Sequence, residues 1–245
     1  MKIAASSSVE PAPKAQPRRT AFGRTALWVA VWLAAIALAG FLDTSLASRV
    51  YSSGVYQTVK YSLLLRAIKA PGNAWGLPFM VLMVWWLSRP SAAPAVLLAL
   101  TAALAGLFTA VAKWGVGRGR PIANGIYNLH PFRLHPFHGG LPGLFAPQRN
   151  QSFPSGHACL AFAIAGALSL WRPRFAVVFF VLAALVGVER LLEGAHYLSD
   201  VLAGGGLGII AAVSATRICR VVRKREGAAH GGTVESKPSD SSLRL

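Results

Sequence analysis

The chain has 245 residues, of which 54% are hydrophobic and only 13% are charged. A soluble domain carries about 25% charged residues, so this composition argues against an ordinary soluble domain and favours a membrane protein. The formal net charge of +17 would suit a nucleic-acid-binding protein. Here the basic residues flank apolar runs instead of forming a stripe on a soluble domain, so we expect no nucleic-acid partner.

The chain begins with a polar segment, residues 1–24, that is rich in Pro, Lys and Arg. This composition predicts a disordered cytoplasmic tail. Arg18 and Arg19 also fit a twin-arginine export signal. We prefer a positive flank on the first membrane helix, because the next apolar run is long and no small-residue cleavage site follows it.

Six apolar segments come next and predict an all-α, polytopic membrane bundle of about six transmembrane helices within a domain over residues 25–216. A spanning helix needs about 20 mostly apolar residues. The segments cover residues 26–42, 75–87, 91–112, 154–171, 175–188 and 201–215. A basic and then disordered cytoplasmic tail is predicted over residues 217–245, with its basic start against anionic lipid.

The flanking charges predict the orientation of this bundle. With both termini in the cytoplasm, more than half of the 25 Lys and Arg residues lie on the cytoplasmic side. The same arrangement places three polar clusters, within residues 113–121, 154–157 and 190–200, on the outer face. The short loops and the lack of a cleavable signal favour a bacterial inner (cell) membrane, with these clusters on the periplasmic or extracellular side.

Two long segments lie on the predicted outer side. Residues 43–73 mix apolar and basic residues, which predicts an amphipathic helix at the membrane interface; a packed connector is the alternative. Residues 113–153 form a loop rich in Gly, Pro, His and Arg. Loops of this length are usually functional or disordered.

The first of three polar clusters opens this second loop and contains Lys113, Arg118 and Arg120. Arg offers planar bidentate donors to a phosphate, and Lys offers a point charge. Together with Arg190 further along, Lys113 and Arg120 are therefore predicted to bind a phosphate. Snorkelling at a helix end is the alternative for each cation alone. Arg118 either assists them or contacts lipid headgroups, and it stays unassigned.

The second cluster, Pro154 to His157, opens the fourth apolar segment. Pro154 suits a helix start, and backbone N–H groups at a helix N-terminus bind anions. Ser155 and Gly156 are predicted to contact the phosphate, Ser155 with its hydroxyl and Gly156 by allowing close backbone approach. An imidazole side chain suits proton transfer near neutral pH, so His157 is a candidate proton donor; a purely structural histidine at the membrane edge is the alternative.

The third cluster contains Arg190, His196 and Asp200. His196 and Asp200 are four residues apart, so on a helix they would share a face. A carboxylate on one ring nitrogen fixes the tautomer and strengthens the other nitrogen as a nucleophile.

The spacing of the three clusters, K-x6-R-P, P-S-G-H and R-x5-H-x3-D, resembles the motifs of the type 2 phosphatidic acid phosphatase superfamily. These are integral-membrane lipid phosphatases related to the vanadium haloperoxidases. The resemblance implies that His196 attacks phosphorus, Asp200 orients it and His157 protonates the leaving group. It also implies that Lys113, Arg120 and Arg190 bind the phosphate, with no metal or cofactor.

One departure concerns the start of the third cluster, which is usually Ser-Arg in the family. Here Glu189 precedes Arg190, and Glu193 follows it. Two carboxylates near an anion site would weaken phosphate binding unless they point away or pair with Arg190 or Arg118. Tuning for a different headgroup is one interpretation.

The stretch from His130 to His138 superficially suggests metal ligands, but its prolines and lack of carboxylates argue against a defined metal site. We predict instead a lid over the lipid headgroup, with Phe132 and Phe137 dipping into the bilayer. Cys159 and Cys219 lie in or just after apolar runs, which favours two inert thiols.

The sequence thus predicts a membrane phosphatase whose partners are a lipid phosphate and the bilayer. The resemblance extends to phosphatidic acid, phosphatidylglycerophosphate, undecaprenyl diphosphate and lipid A as substrates. The alternatives are a catalytically inactive lipid-phosphate-binding or transport protein on the same fold and a vanadate-dependent haloperoxidase. The sequence does not predict the oligomeric state.

Overall fold

The computed structural model describes residues 19–63, 67–68, 70–123, 126–128, 130, 133–145 and 150–231. Its helices are α1 (Arg19–Ser52), α2 (Val55–Tyr61), α3 (Leu77–Leu87), α4 (Ala93–Val116), α5 (Gly140–Phe145), α6 (Gly156–Trp171), α7 (Ala176–Leu192) and α8 (Leu198–Gly231). Single turns of 3₁₀ helix cover Ala70–Gly72, Ala74–Gly76 and Pro173–Phe175. A small antiparallel ribbon pairs β1 (Ile122–Ala123) with β2 (Ile126–Tyr127).

The predicted all-α architecture is confirmed. Four stretches of helix are long and apolar enough to cross a membrane, and two further apolar helices are shorter. The long ones are Ala26–Ser52, Ala93–Val116, Pro173–Leu192 and Leu198–Glu226, and the short ones are Ala74–Leu87 and Gly156–Trp171. The number of six crossings stays a prediction.

The contacts divide the chain into two units, Met1–Ala34 and Ala35–Leu245. The described part of the first unit is the beginning of α1, which starts at Arg19, so its first turns include the end of the predicted tail. Residues 1–18 of that tail lie outside the described residues. All packing and all site geometry reported below belong to the second unit.

The predicted interfacial helix over residues 43–73 is wrong in its first part, because α1 continues to Ser52. Asp43 does not end the helix, since its carboxylate is buried and paired with Arg118. Gly54, with φ of 69°, separates α1 from α2. Residues 64–66 and 69 of the segment lie outside the described part of the chain.

The predicted tail boundary at residue 216 falls inside α8, which runs to Gly231. From residue 209 to residue 226 the sequence has no Gly or Pro to end the helix. The basic start of the tail is therefore helical, and residues 232–245 lie outside the described residues.

Helix α6 lies at the centre of the second unit and packs against α4, α7 and α8. Its buried positions are mostly alanines. The backbones of α6 and α8 approach each other closely because α8 has glycines where the two helices meet. A Cβ atom on Gly204 would lie 2.4 Å from the Ser155 carbonyl oxygen, and one on Gly208 would lie 2.3 Å from that of Cys159. Small residues thus fix the start of α6 against the first turns of α8.

The alternating directions of the helices bring all three polar clusters to one end of this unit. Lys113 is in the last turn of α4, Ser155 caps the start of α6, Arg190 is in the last turn of α7, and Asp200 is in the first turn of α8.

Candidate active site

His196 lies between the end of α7 and the start of α8 and is only 4% exposed. Its Nδ1 atom is 2.8 Å from the carbonyl oxygen of Ser152. A carbonyl oxygen only accepts hydrogen bonds, so Nδ1 donates, and in the neutral ring Nε2 keeps the lone pair. Ser152 is itself fixed, since its N–H donates to the Arg118 carbonyl at 2.7 Å and its hydroxyl to the Gly119 carbonyl at 2.9 Å.

The surroundings of His196 keep the ring neutral. Burial is the largest cause and lowers its pKa to about 4, with the positive charges of Lys113 and Arg120 acting in the same direction. The carboxylate of Asp200 opposes this effect. At neutral pH the ring therefore offers an unprotonated nitrogen beside two cations.

Asp200 is fully buried, and both of its carboxylate oxygens have donors. Oδ1 accepts from Arg118 Nη1 at 2.8 Å, and Oδ2 accepts from the backbone N–H of Tyr197 at 2.8 Å. The distance from Oδ2 to His196 Nδ1 is 3.8 Å. The nearer partner of the ring is thus the Ser152 carbonyl, and the orienting role of Asp200 stays a prediction. The expectation that His196 and Asp200 share a helix face is wrong, because His196 precedes α8, which begins at Leu198.

Arg118, which the sequence left unassigned, is 4% exposed and connects three parts of the fold. Besides Asp200, its guanidinium donates to Ser199 Oγ at 2.8 Å and to Asp43 Oδ2 at 3.0 Å. The ring of Tyr197 lies 4.0 Å from the guanidinium carbon. Arg118 therefore contacts buried carboxylates and not lipid headgroups.

Lys113 and Arg120 are near enough to His196 for their charges to lower its pKa. Lys113 is 9% exposed, and its Nζ donates to the carbonyl oxygen of Gln151 at 2.5 Å. The Nε atom of Arg120 is buried, with no hydrogen-bond partner among the described residues. Burial and the neighbouring charge of Arg190 lower the pKa of Arg120. A partly desolvated guanidinium whose Nε atom has no partner among the described residues is suited to an anion.

Arg190 is buried, and its guanidinium is paired with two carboxylates. Its Nε and Nη2 donate to the two oxygens of Glu189 at 2.6 and 2.7 Å, and Nη2 also pairs with Glu193. Glu189 is 2% exposed, so this pair lies away from water. Glu189, which stands where the family usually has Ser, is thus paired with Arg190. A phosphate would have to compete with two carboxylates for this arginine.

The second cluster forms the N-terminus of α6. Ser155 is fully buried; its Oγ accepts from the Ala158 N–H at 3.4 Å, and its own N–H donates to the Asp200 carbonyl at 3.0 Å. A hydroxyl that accepts in this way can still donate its proton to a phosphate oxygen. Gly156 and His157 line a cavity of about 390 Å³ that also includes Thr109 and Leu77.

The histidine-rich loop packs over the end of α4. The N–H of His135 donates to the Gly117 carbonyl at 3.1 Å, and the ring of Phe137 makes an edge contact with Trp114 at 4.8 Å. His135 and His138 line a cavity of about 300 Å³ together with Asn150 and Gln151. Phe132, the other aromatic residue of the predicted lid, lies outside the described residues, and the lid stays a prediction.

Sequence reasoning missed Asp43 and Ser152. Asp43 is the one acidic residue in its stretch of α1, and an ionisable residue within a membrane helix is a reason to look for a partner. Ser152 acts through its carbonyl oxygen, which leaves no signal in the residue type.

Comparison with known proteins places these features in a family. The model of the PAP2 superfamily matches residues 94–224. Over 108 residues the chain is 35% identical to the lipid A 1-phosphatase of Rhizobium johnstonii, covering 44% of this chain and 41% of the relative. Over 86 residues it is 35% identical to the bacitracin transport permease protein BcrC of Bacillus licheniformis, covering 35% and 41%. The chain thus spans about two fifths of the length of these curated relatives.

Two solved structures share the fold. The crystal structure of Aquifex aeolicus LpxE has a TM-score of 0.51 and 21% identity, over 72% of this chain and 95% of that one. The PAP2-type phosphatidylglycerolphosphate phosphatase of Bacillus subtilis has a TM-score of 0.53 and 20% identity, over 80% and 94%. The latter is a transmembrane protein, and the predicted membrane helical bundle is confirmed.

Proposed function

The chain belongs to the PAP2 superfamily, and on that premise we propose that it is a membrane phosphatase that removes a phosphate from a lipid phosphate monoester or diphosphate. The observation that supports this most directly is the environment of His196. A buried imidazole with its Nδ1 proton committed to a carbonyl lies beside Lys113 and Arg120. That is a nitrogen nucleophile next to an anion-binding pair.

In the proposed first step, Nε2 of His196 attacks phosphorus. The bond from phosphorus to the lipid oxygen breaks, and His157 gives a proton to the leaving oxygen. Lys113, Arg120 and the N-terminus of α6 stabilise the three non-bridging oxygens in the transition state. The products of this step are the free lipid alcohol, or the lipid phosphate from a diphosphate, and a phosphohistidine.

In the second step, water attacks the phosphohistidine, and the bond from phosphorus to Nε2 breaks. His157, now deprotonated, takes the proton from this water, because the group that acts as an acid in one direction acts as a base in the other. Inorganic phosphate leaves, and His196 returns to its neutral form. The cations provide the electrostatic stabilisation, so we propose that no metal is required.

Two features support a lipid as the leaving group. His157 lines the 390 Å³ cavity, and the other residues that line it are mostly small and apolar. Leu77 and Leu160 belong to apolar helices. The leaving oxygen at His157 would therefore face an apolar cavity. We propose lipid A as the first substrate to test, since two Rhizobium relatives bear the name lipid A 1-phosphatase, and we propose that the site faces the outer side of the membrane.

The test is release of inorganic phosphate by the detergent-purified protein in the presence of EDTA. The substrates are lipid A, phosphatidylglycerophosphate, undecaprenyl diphosphate and phosphatidic acid, and the control is the His196→Ala variant. We expect release that survives EDTA and disappears in the variant. Binding of these lipids without turnover of any of them would contradict the proposal and favour a catalytically inactive lipid-phosphate-binding protein.

A further inference from the structure

A cavity of about 520 Å³ lies at the end of the bundle opposite to His196. It is lined by the first turns of α4, by the last turn of α6 and by α8 from Thr216 to Lys224. About 20 residues of α8 separate Asp200 from Arg220, which corresponds to roughly 30 Å along the helix axis. The cavity therefore takes no part in the phosphate chemistry at His196.

The walls of this cavity are apolar on one side and basic on the other. Leu97, Leu170 and Trp171 form the apolar side. Arg220, Arg223 and Lys224 form the basic side, and all three are exposed. Among the described residues that line the cavity, none is acidic.

The three cations lie on one face of α8. Their positions, together with Thr216 and Cys219, follow the three- and four-residue spacing of a single helix face. Arg217 and Arg225 are exposed on the same part of α8 and do not line the cavity. A general excess of positive charge at a cytoplasmic helix end would not require the cations to share one face. Their alignment along the cavity therefore suits an anion that binds beside the apolar wall.

Trp171 places this cavity at the boundary of the membrane. It ends α6, and the guanidinium of Arg172 lies 4.3 Å from the centre of its ring. Tryptophan is enriched at the level of the lipid headgroups. The volume also falls within the range of about 300–1,000 Å³ that small-molecule pockets occupy.

We propose that this cavity is a binding site for an anionic phospholipid of the membrane leaflet opposite to the active site. The lipid phosphate lies against Arg220, Arg223 and Lys224, and part of an acyl chain fills the slot beside Leu97 and Trp171. The lipid is a bound structural partner and not a substrate, because no nucleophile of the His196 site lies within reach.

The experiment compares two triple variants of the full chain that remove the same charge. The first is R220Q/R223Q/K224Q, which removes the three positive charges from the basic side of the cavity. The second is R174Q/R217Q/R225Q, which removes three exposed cations near the same end of the bundle that do not line the cavity. Retention of phosphatidylglycerol and of phosphatidylcholine is measured by native mass spectrometry of detergent-purified protein, and melting temperature is measured with each lipid added.

We expect the wild type and the second variant to retain phosphatidylglycerol in preference to phosphatidylcholine and to melt at higher temperature with it. The first variant should bind phosphatidylglycerol at least about tenfold more weakly, given the loss of three lipid-facing cations. Equal weakening in both triple variants would mean diffuse attraction to anionic lipid only and would overturn the proposal, as would unchanged binding in both.

A third variant tests the apolar side with all charges in place. Leu97→Trp adds bulk to the slot and should lower phosphatidylglycerol retention while leaving His196-dependent turnover unchanged. Turnover in every variant reports on folding, since the cavity lies far from the catalytic end. Full phosphatidylglycerol retention in Leu97→Trp would overturn the acyl-chain part of the proposal.

Discussion

The guanidinium of Arg118 donates a hydrogen bond to Oδ1 of Asp200 at 2.8 Å while its other terminal nitrogen donates to Asp43 at 3.0 Å. All three side chains are at most 5% exposed. One buried cation thus ties the loop after α4 to α1 and to the first turn of α8. The same arginine thereby fixes the carboxylate of Asp200, which lies near His196.

Replacing Arg118 by Gln should destabilise the protein strongly. The change leaves Asp43 and Asp200 buried without their cation, and removing one partner of a buried pair costs about 3–5 kcal/mol. Phosphate release should fall as well, because Oδ1 of Asp200 loses its donor and only the Tyr197 N–H still fixes the carboxylate. The measurement is the melting temperature together with kcat, and Arg118→Lys, which keeps the charge, should recover part of both.

The matched control for this change is Arg133→Gln, which removes an exposed arginine from the histidine-rich loop. It should leave the melting temperature nearly unchanged. Wild-type stability and turnover in Arg118→Gln would show that the pairing has no structural role.

Replacing Glu189 by Ser should strengthen phosphate binding. Glu189 holds Arg190 through two hydrogen bonds, and the change leaves that arginine paired with Glu193 alone. A gain of about 1–2 kcal/mol corresponds to roughly a fivefold to thirtyfold lower inhibition constant for vanadate or phosphate. In the absence of anion the variant should be less stable than the wild type, because the buried Arg190 has lost a partner.

Glu226→Gln, which neutralises an exposed carboxylate in the last turns of α8, is the matched control and should not change anion inhibition. If Glu189→Ser bound vanadate no better than this control, the carboxylates would not compete with the anion for Arg190.

The stability of the protein should depend on pH through His196. Burial lowers its pKa from 6.5 to about 4. The unfolded chain therefore binds a proton at higher pH than the folded chain does. The contribution of the neutral ring to stability is fully present above pH 6.5 and is lost as the pH falls from there through about 4.

The measurement is the melting temperature between pH 7 and pH 4 for the wild type and for His196→Gln. The variant should lose less stability over this range, since glutamine does not titrate. Parallel pH profiles of the two proteins would mean that His196 titrates alike in the folded and unfolded chains.

Replacing Gly204 by Ala should disturb the site without touching any polar residue. The added Cβ would lie 2.4 Å from the Ser155 carbonyl oxygen and would push the start of α6 away from α8. Overpacking of this kind costs about 1–3 kcal/mol, and turnover should fall because Ser155 and Asp200 move apart. Gly115→Ala, with nothing within 4 Å of its Cβ, should keep both stability and turnover. Equal activity of the two variants would argue against the close approach.

The sequence alone predicts that the residues of the three polar clusters lie at one end of a helical bundle. These residues are Lys113, Arg120, Ser155, His157, Arg190, His196 and Asp200. All of them lie at the ends of apolar segments, and consecutive membrane helices alternate in direction, so the pattern determines their common face. The type of each residue also suggested its chemistry, because phosphate needs cations and a nucleophile needs an orienting acceptor.

What the sequence could not supply were contacts between residues far apart in the chain. Asp43 and Arg118 are separated by 75 positions, and Ser152 and His196 by 44. The first apolar segment predicted from the sequence ends at residue 42, whereas α1 continues to Ser52 with Asp43 buried and paired with Arg118. The direction of the Glu189 side chain depends in the same way on packing and not on local pattern.

The most direct test of the proposed mechanism is to trap the phosphohistidine. The protein is mixed with lipid A carrying a radioactive 1-phosphate, denatured within one turnover under alkaline conditions, and digested for peptide mapping. We expect label on the peptide that contains His196 and none in His196→Ala, which should also release no phosphate. Turnover without labelled protein, or phosphate release by His196→Ala, would contradict a histidine nucleophile at this site.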